Sequence, residues 1–242
     1  MEMHILYIFL LCIGASFIQR TTGFGFGIFI MTMLPFLMPS YGEATTLSGL
    51  LALTTSSVIT WRMRRYVTWR RLLPILAAFL VTSAAAVAML RHLDDTFLRR
   101  ILGVALVLVS IYFIYFSSRI RIRPTLTFQI GAGSLSGVLG GFFGMQGPPA
   151  VLYFISSEPD KDHYMAMAQC YFLLGNAAMT FFRAGNGFLT GAVGISYLYG
   201  LGGVIIGTFV GAAVYSHIPS SLFKYIVYAY IGVSGVIVFL TA

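Results

Sequence analysis

Eight long apolar stretches take up almost the whole chain, and they constrain its fold more than any other feature of the sequence. A helix needs about 20 mostly apolar residues to cross a bilayer, and little chain remains between these stretches for a soluble domain. The stretches comprise residues 5–39, 44–61, 72–90, 97–116, 126–155, 164–182, 192–215 and 225–240. We therefore predict an all-α polytopic membrane protein with about eight transmembrane regions.

The composition excludes most soluble classes of protein. Hydrophobic residues make up 58% of the chain and charged residues 9%, against about 25% charged residues in soluble domains. Too little polar surface remains for a globule or a disordered chain, and the alternating pattern of a membrane β-barrel is absent. Cys12 and Cys170 lie inside apolar stretches, so we expect packing residues without a disulfide or a metal. We expect no cofactor.

The arginines are concentrated in two short loops, although the formal net charge of the whole chain is +8. Five arginines lie between Arg62 and Arg71, and Arg119, Arg121 and Arg123 lie in the next loop but one. Two apolar stretches separate these loops, which places both on one side, and the positive-inside rule makes that side cytoplasmic. The charge therefore indicates topology and not nucleic-acid binding. We expect a multi-pass protein of the cell membrane, a prokaryotic inner membrane, with loops 62–71 and 117–125 in the cytoplasm.

The two halves of the chain correspond to each other when one is shifted by 121 residues. The shift places Ser48, Thr55 and Arg62 on Gln169, Asn176 and Arg183. We therefore predict a first transmembrane repeat at residues 1–120 and a second at 121–242, with no soluble domain. Secondary transporters commonly have such duplications and bind substrate near the middle of the membrane, between the repeats.

The relative orientation of the two repeats stays open from the sequence. If the first stretch of each half crosses the membrane once, the repeats are parallel. If each first stretch is a re-entrant hairpin, they are inverted. The 35 residues of stretch 5–39 favour a hairpin, because a straight helix of that length would measure about 50 Å against a core of about 30 Å. The acidic segment 158–162 favours the parallel arrangement, because it suits the outside.

Each half contains one cluster of glycines inside its first apolar stretch. The clusters lie at Gln19–Gly27 and at Gly140–Pro149. Glycines at this density weaken a helix and tandem prolines end one, so we predict a broken first helix in each repeat. Helix N-termini that follow such breaks attract anions with their free N–H groups. One interpretation of the two clusters is that their half-helices converge on a bound anion. The alternative is that the glycines allow close packing of the helices.

Polar side chains elsewhere in the apolar stretches allow similar pairs of interpretations. Gln169, Asn176 and Arg183 are seven residues apart and share one helix face; the amides can bind an oxyanion or form hydrogen bonds between helices. Arg183 and Arg62, at helix ends, are expected to extend to the membrane interface. Arg20 follows one apolar segment and precedes another, so an anion partner would offset the cost of burying it, unless the break brings it to the surface.

These residues together form the predicted substrate-binding site. Its members are Gln19, Arg20, Gly23, Gly25, Gly27, Gly144, Gln146, Gly147, Pro148, Pro149, Gln169 and Asn176.

The motifs resemble those of the sulfite exporter TauE/SafE family, also called the TSUP permeases. Gln19–Phe26 is similar to the Gln-x-x-x-Gly-Phe-Gly-Phe signature of the family, and Gly144–Pro149 to its Gly-x-x-Gly-Pro-Pro form. Gln169–Asn176 is similar to the pattern of its sixth span. The resemblance covers essentially the whole chain and implies a permease for small sulfur-containing or organic anions without an ATPase domain. One departure is Met165, where an arginine is common in the family.

Secondary transport of a small anion such as sulfite or a sulfonate is the leading functional hypothesis. A passive anion channel and a membrane assembly subunit without transport activity are the alternatives. An intramembrane serine protease is disfavoured, because the Gly-x-Ser-Gly sequence at 232–235 has no histidine after it to act as the base. We therefore expect no enzyme. The expected partners are the anion and the lipid bilayer, with protons as a candidate coupling ion and a homo-oligomer as a compatible assembly.

Overall fold

The computed structural model describes residues 2–116, 125–158, 160–214 and 220–242, and the regular structure in these ranges is entirely helical. Apart from Thr125, the loop predicted at 117–125 lies outside the described residues. The helices are α1 (Glu2–Thr22), α2 (Phe26–Ile30), α3 (Leu34–Leu37), α4 (Tyr41–Met63), α5 (Trp69–Leu90), α6 (Asp95–Ile111), α7 (Leu126–Phe143), α8 (Gly147–Ser157), α9 (Lys161–Gly185), α10 (Gly191–Val214) and α11 (Ser220–Thr241). A 3-10 turn (Arg64–Tyr66) follows α4 and a π-helical turn (Tyr112–Phe116) follows α6.

Six of the described helices are long and apolar enough to cross a membrane, namely α1, α5, α6, α7, α9 and α10. α11 contributes a shorter apolar segment, Ala229–Thr241. α4 has the length of a span but is rich in threonine and serine, and 15 of its 23 residues are buried against other helices. The all-α polytopic class is thus confirmed, while the number of eight regions stays a prediction.

Both first apolar stretches are broken at their glycines, as predicted. Stretch 5–39 folds as α1, α2 and α3, and stretch 126–155 folds as α7 and α8. Gly23, Gly25 and Gly144 adopt φ values of 86°, 100° and 67° at the breaks. This left-handed backbone costs other residues roughly 1–2 kcal/mol each, so the glycines are what allows the chain to turn inside the protein.

The helix after each break returns along the helix before it. In the second half, the Gln129 side chain of α7 donates a hydrogen bond to the Tyr153 hydroxyl of α8 at 2.6 Å. In the first half, the ring of Phe29 in α2 lies against Gly14 of α1. Each broken stretch is therefore a hairpin that enters the helix bundle and turns back.

Glycines hold the long helices in parallel pairs across the two halves. Along α7, Gly133, Gly137 and Gly141 approach the backbone of α5 in succession at Ile75, Phe79 and Ser83. Along α10, Gly203, Gly207 and Gly211 approach the backbone of α1 in the same way at Phe9, Ile13 and Phe17. α4 packs on both α9 and α10, α5 also packs on α9, and α6 packs on α11, so further helix pairs connect the halves.

One end of the bundle carries the arginine-rich loop, and we call it the basic end. There Arg71 forms an ion pair with Glu158 at 3.5 Å, and the Tyr66 ring contacts His163. The acidic segment therefore lies beside the first arginine-rich loop. Its acidic charge had favoured the opposite end of the bundle. At that opposite end, the backbone N–H of Tyr41 donates to the Asp95 carboxylate at 2.9 Å.

We expect Gly207→Ala to destabilise the protein, because its Cβ would overlap the carbonyl oxygen of Ile13 and push α10 away from α1. Overpacking of this kind costs about 1–3 kcal/mol. Gly194→Ala in the same helix is the control, since a Cβ there meets no atom within 4 Å. Thermal unfolding in detergent compares the two. Equal melting temperatures would contradict the role assigned to this contact.

Candidate functional site

The two hairpin tips meet at one small cavity inside the bundle. Its volume is about 30 Å³, enough for about two water molecules. The first half contributes Gln19, Gly25, Phe26, Gly27, Ile28 and Ala52, and the second half contributes Gly144, Met145, Gln146, Gly147, Phe172 and Asn176. Seven of the predicted site residues are therefore brought together from chain segments more than 100 residues apart.

The tips touch directly through glycine backbone. A Cβ on Gly27 would overlap the carbonyl oxygen of Gly144, so only glycine fits at this crossing. The hydroxyl of Ser48 lies beside the same crossing, 3.7 Å and 3.6 Å from the Cβ positions of Gly27 and Gly144. This hydroxyl is buried without a hydrogen-bond partner in the described structure. A polar group in that condition is expected to bind water or a ligand.

Backbone N–H groups around the cavity come mainly from the first hairpin. The first N–H groups of a helix have no partner inside it, and residues 26–28 at the start of α2 line the cavity. α8 begins at Gly147, but Pro148 and Pro149 that follow carry no N–H. The start of α8 therefore lacks two of these donors, and the Gln146 side chain lies beside it.

An amide cluster connects the end of α1 to α4 and α9. Gln19 Nε2 donates to Ser56 Oγ at 3.0 Å and to Gln169 Oε1 at 3.1 Å. Gln169 Nε2 donates in turn to the Gly23 carbonyl at 2.6 Å. Met165 closes the cluster, with its sulfur 3.8 Å from Gln169 Nε2. Gln169 and Gly23 thus lie beside the cavity in hydrogen bonds between helices, and only Gln19 reaches its lining.

Gln146 and Asn176 are the side-chain amides of the second half that line the cavity. Gln146 is buried, its Nε2 lies 3.5 Å from the Phe172 carbonyl, and its Oε1 has no partner in the described structure. Ser136 Oγ donates to the backbone carbonyl of Gln146 and fixes the start of α8. Asn176 is also buried. Both amides are thus buried, and the unused hydrogen-bonding capacity of Gln146 Oε1 suits a polar ligand.

Three predicted site residues point elsewhere. Arg20 follows Gln19 by one residue, which turns its side chain about 100° around α1. It is half-buried against Gly211 of α10, close enough to Arg62 for their charges to repel. Pro148 and Pro149 line an apolar groove between α6, α7 and α8. The structure does not bring these three side chains to the cavity.

Arg183 is the functional candidate that the sequence analysis misjudged. We expected it to extend to the membrane interface, but its side chain is completely buried. Its guanidinium donates to the carbonyls of Thr45, Gly140 and Gly141 at 2.8, 2.8 and 3.1 Å. The start of α4 and the end of α7 cover it, so proximity to the end of its own helix does not expose it.

One signal in the sequence pointed to two residues that the predicted site omitted. Ser48 and Arg183 both belong to the polar stripes that the shift of 121 residues superimposes. The stripe indicated that these positions face the interior of the bundle. What it could not indicate was their depth, because that depends on which neighbouring helices extend past them.

These features define a class: a polytopic membrane protein with a small polar cavity between the tips of two helix hairpins. A family model described as Sulfite exporter TauE/SafE matches residues 8–238, and the chain belongs to this family. It is 23% identical over 208 residues to a protein of Cupriavidus necator (strain H16) named "Probable sulfite/organosulfonate exporter TauE". That alignment covers 82% of this chain and 79% of the relative. No solved structure gives a significant match.

We expect Gly27→Ala to separate the two hairpin tips, because the added methyl would overlap the Gly144 carbonyl oxygen. The expected result is a lower melting temperature in detergent, with a cost of about 1–3 kcal/mol. Gly131→Ala is the matched control, since a Cβ there meets nothing within 4 Å. If Gly27→Ala melts no lower than Gly131→Ala, the contact between the tips does not stabilise the fold.

Proposed function

We propose that this protein is a secondary transporter of a small anion, with sulfite or an organosulfonate as the substrate class. The observation that carries the proposal is the meeting of both glycine breaks at one polar cavity. Helix breaks are tolerated at membrane depth where they are buried in protein or line a cavity. Broken helices are also where many secondary transporters bind substrate. Membership of the TauE/SafE family and the name of the Cupriavidus relative support the same substrate class.

The lining of the cavity favours an anion over a cation. None of its described lining residues is acidic, and its polar groups are amides and backbone N–H groups. Uncharged donors of this kind bind an oxyanion without leaving a charge buried when the site is empty. The described lining offers no carboxylate that would balance the charge of a cation.

We also propose that residues 1–120 and 121–242 are inverted repeats. The hairpins support this, since each half then has a re-entrant pair followed by three long helices. The helix contacts support it as well, because α5 packs on α7 in the way that α10 packs on α1. The ion pair between Arg71 and Glu158 puts the two loops at the same end, as inverted repeats require.

The cavity is too small for the proposed substrate in this conformation. A volume of about 30 Å³ accommodates about two waters, whereas sulfite has four heavy atoms and carries its own hydration. Binding therefore requires the hairpin tips to separate, and a transporter that opens to each side in turn provides that motion. A passive channel would need a continuous opening, so it is the less favoured alternative, along with an assembly subunit.

We expect Gln146→Ala and Asn176→Ala each to lower the initial rate of sulfite uptake into proteoliposomes by about tenfold, because each removes a buried group that contacts the anion. Asn186→Ala, at the residue that directly follows α9, is the matched control. Its side chain donates to the Phe182 carbonyl at 2.8 Å, away from the cavity. Uptake is measured with labelled sulfite, with and without an imposed pH gradient.

The outcomes separate the candidate functions. Saturable uptake that responds to the pH gradient supports a transporter with protons as the coupling ion. Uptake that does not saturate and ignores the gradient supports a channel. No flux of sulfite or of short sulfonates under any gradient contradicts transport altogether. Normal rates for both amide variants would mean that the site is misplaced.

Labelling of single cysteines tests the repeat orientation. In a Cys12→Ala, Cys170→Ala background, we expect Arg65→Cys and Asp160→Cys, both at exposed positions, to react with an impermeant reagent from the same side of the membrane. Asp94→Cys should react from the other side, because α5 lies between it and Arg65. Labelling of positions 65 and 160 from opposite sides would contradict the inverted arrangement.

A further inference from the structure

We propose that Arg183 is the fixed positive charge of the substrate path and binds the oxyanion head of the substrate on the side of the cavity away from the basic end. This inference rests on the proposed anion transport and deepens it, because it assigns the anion a charged partner. The cavity lining alone supplies only uncharged groups.

The guanidinium of Arg183 has hydrogen bonds but no counter-charge. Its Nη atoms donate to carbonyls of α4 and α7, and its Nε has no partner in the described structure. Within the described residues, no carboxylate lies at ion-pair distance from it. Backbone carbonyls supply partial negative charge only. Among the described residues, the positive charge of Arg183 therefore has no ion-pair partner.

A buried charge without a counter-ion is a costly feature for a membrane protein. The backbone N–H groups of Gly144 and Met145 already donate to the carbonyls of Gly140 and Leu139 at the end of α7. Arg183 therefore adds a partner for the Gly141 carbonyl, and a carbonyl supplies no full counter-charge. An anion that enters the protein and leaves again would supply the missing charge. Arginine suits this purpose, because its planar group binds oxyanions through two N–H groups at once.

The guanidinium lies close to the cavity. Arg183 and Asn176 share one face of α9, and Asn176 lines the cavity. Both side chains approach Gly49 of α4: Arg183 Nη1 and Asn176 Oδ1 lie 3.3 Å and 3.9 Å from its Cβ position. The carbonyls that hold Arg183 precede Gly144 by one turn of α7. An anion moving from the cavity past Asn176 therefore meets Arg183.

Uptake kinetics of Arg183 variants provide the first test. We expect Arg183→Gln to raise the KM for sulfite at least about tenfold, because it removes a charged hydrogen-bond donor, while Arg183→Lys keeps the charge and recovers part of the loss. Arg65→Gln, in an exposed part of the basic loop, is the control for a change in net charge and should match the parent. A KM unchanged in both Arg183 variants would overturn the inference.

A double-mutant cycle in detergent tests the charge when the single variants fold poorly. Asn176→Asp adds a carboxylate of nearly the same shape next to Arg183. We expect it to raise the melting temperature in the parent background and to lower it in the Arg183→Gln background, because only the parent offers a counter-charge. If Asn176→Asp lowers the melting temperature equally in both backgrounds, Arg183 presents no available charge and the inference fails.

The tests distinguish this inference from the proposed function. A parent protein without flux of any tested anion contradicts the transport function, and the melting temperatures still decide whether Arg183 has an uncompensated charge. A parent that transports sulfite, with Arg183 variants of unchanged KM, leaves the transport function in place and contradicts only the role of Arg183.

Discussion

The structure depends on one constraint: backbone N–H and C=O groups cannot be left unpaired in a lipid environment. A helix can therefore break at membrane depth only where protein covers the break. Here the two breaks cover each other, with Gly27 against the carbonyl of Gly144 and Ser48 beside the crossing. The cavity is the space left between two backbones that cannot pair completely. Its polar lining follows from that geometry before any side chain is considered.

The same constraint explains where polar residues are tolerated. α4 and α9 carry most of the polar side chains around the site, and both are enclosed by other helices. The helices around them are apolar, and they approach α1 and α5 through glycines such as Gly137 and Gly207. Close approach of backbones compensates for the weak hydrophobic driving force between helices in lipid. Because these glycine contacts hold the surrounding helices together, α4 and α9 can carry polar side chains in the interior of the bundle.

The sequence predicted those parts of the fold that depend on local chemistry. Apolar runs predicted the helices, and the glycine clusters predicted the breaks, because both effects act within a few residues. Which way a side chain faces at a break was not predictable, so Arg20 and Pro148 were included in the site. The depth of Arg183 was also missed, since it depends on how far α7 and α4 extend past the end of α9. That information lies in the packing of distant segments.

A shift of 121 residues places Arg62 on Arg183, yet the environments of the two arginines differ completely. Arg62 is exposed at the basic end, whereas Arg183 is buried beneath the tip of α7. On the proposed inverted relation, the two arginines flank the cavity from opposite sides. One side is then closed by a guanidinium bound to three carbonyls, and the other side lacks that closure. If the protein opened on the side that is closed here, the end of α7 would have to move away from α4. Arg183 binds carbonyls of both helices, so this movement would have to break some of its hydrogen bonds.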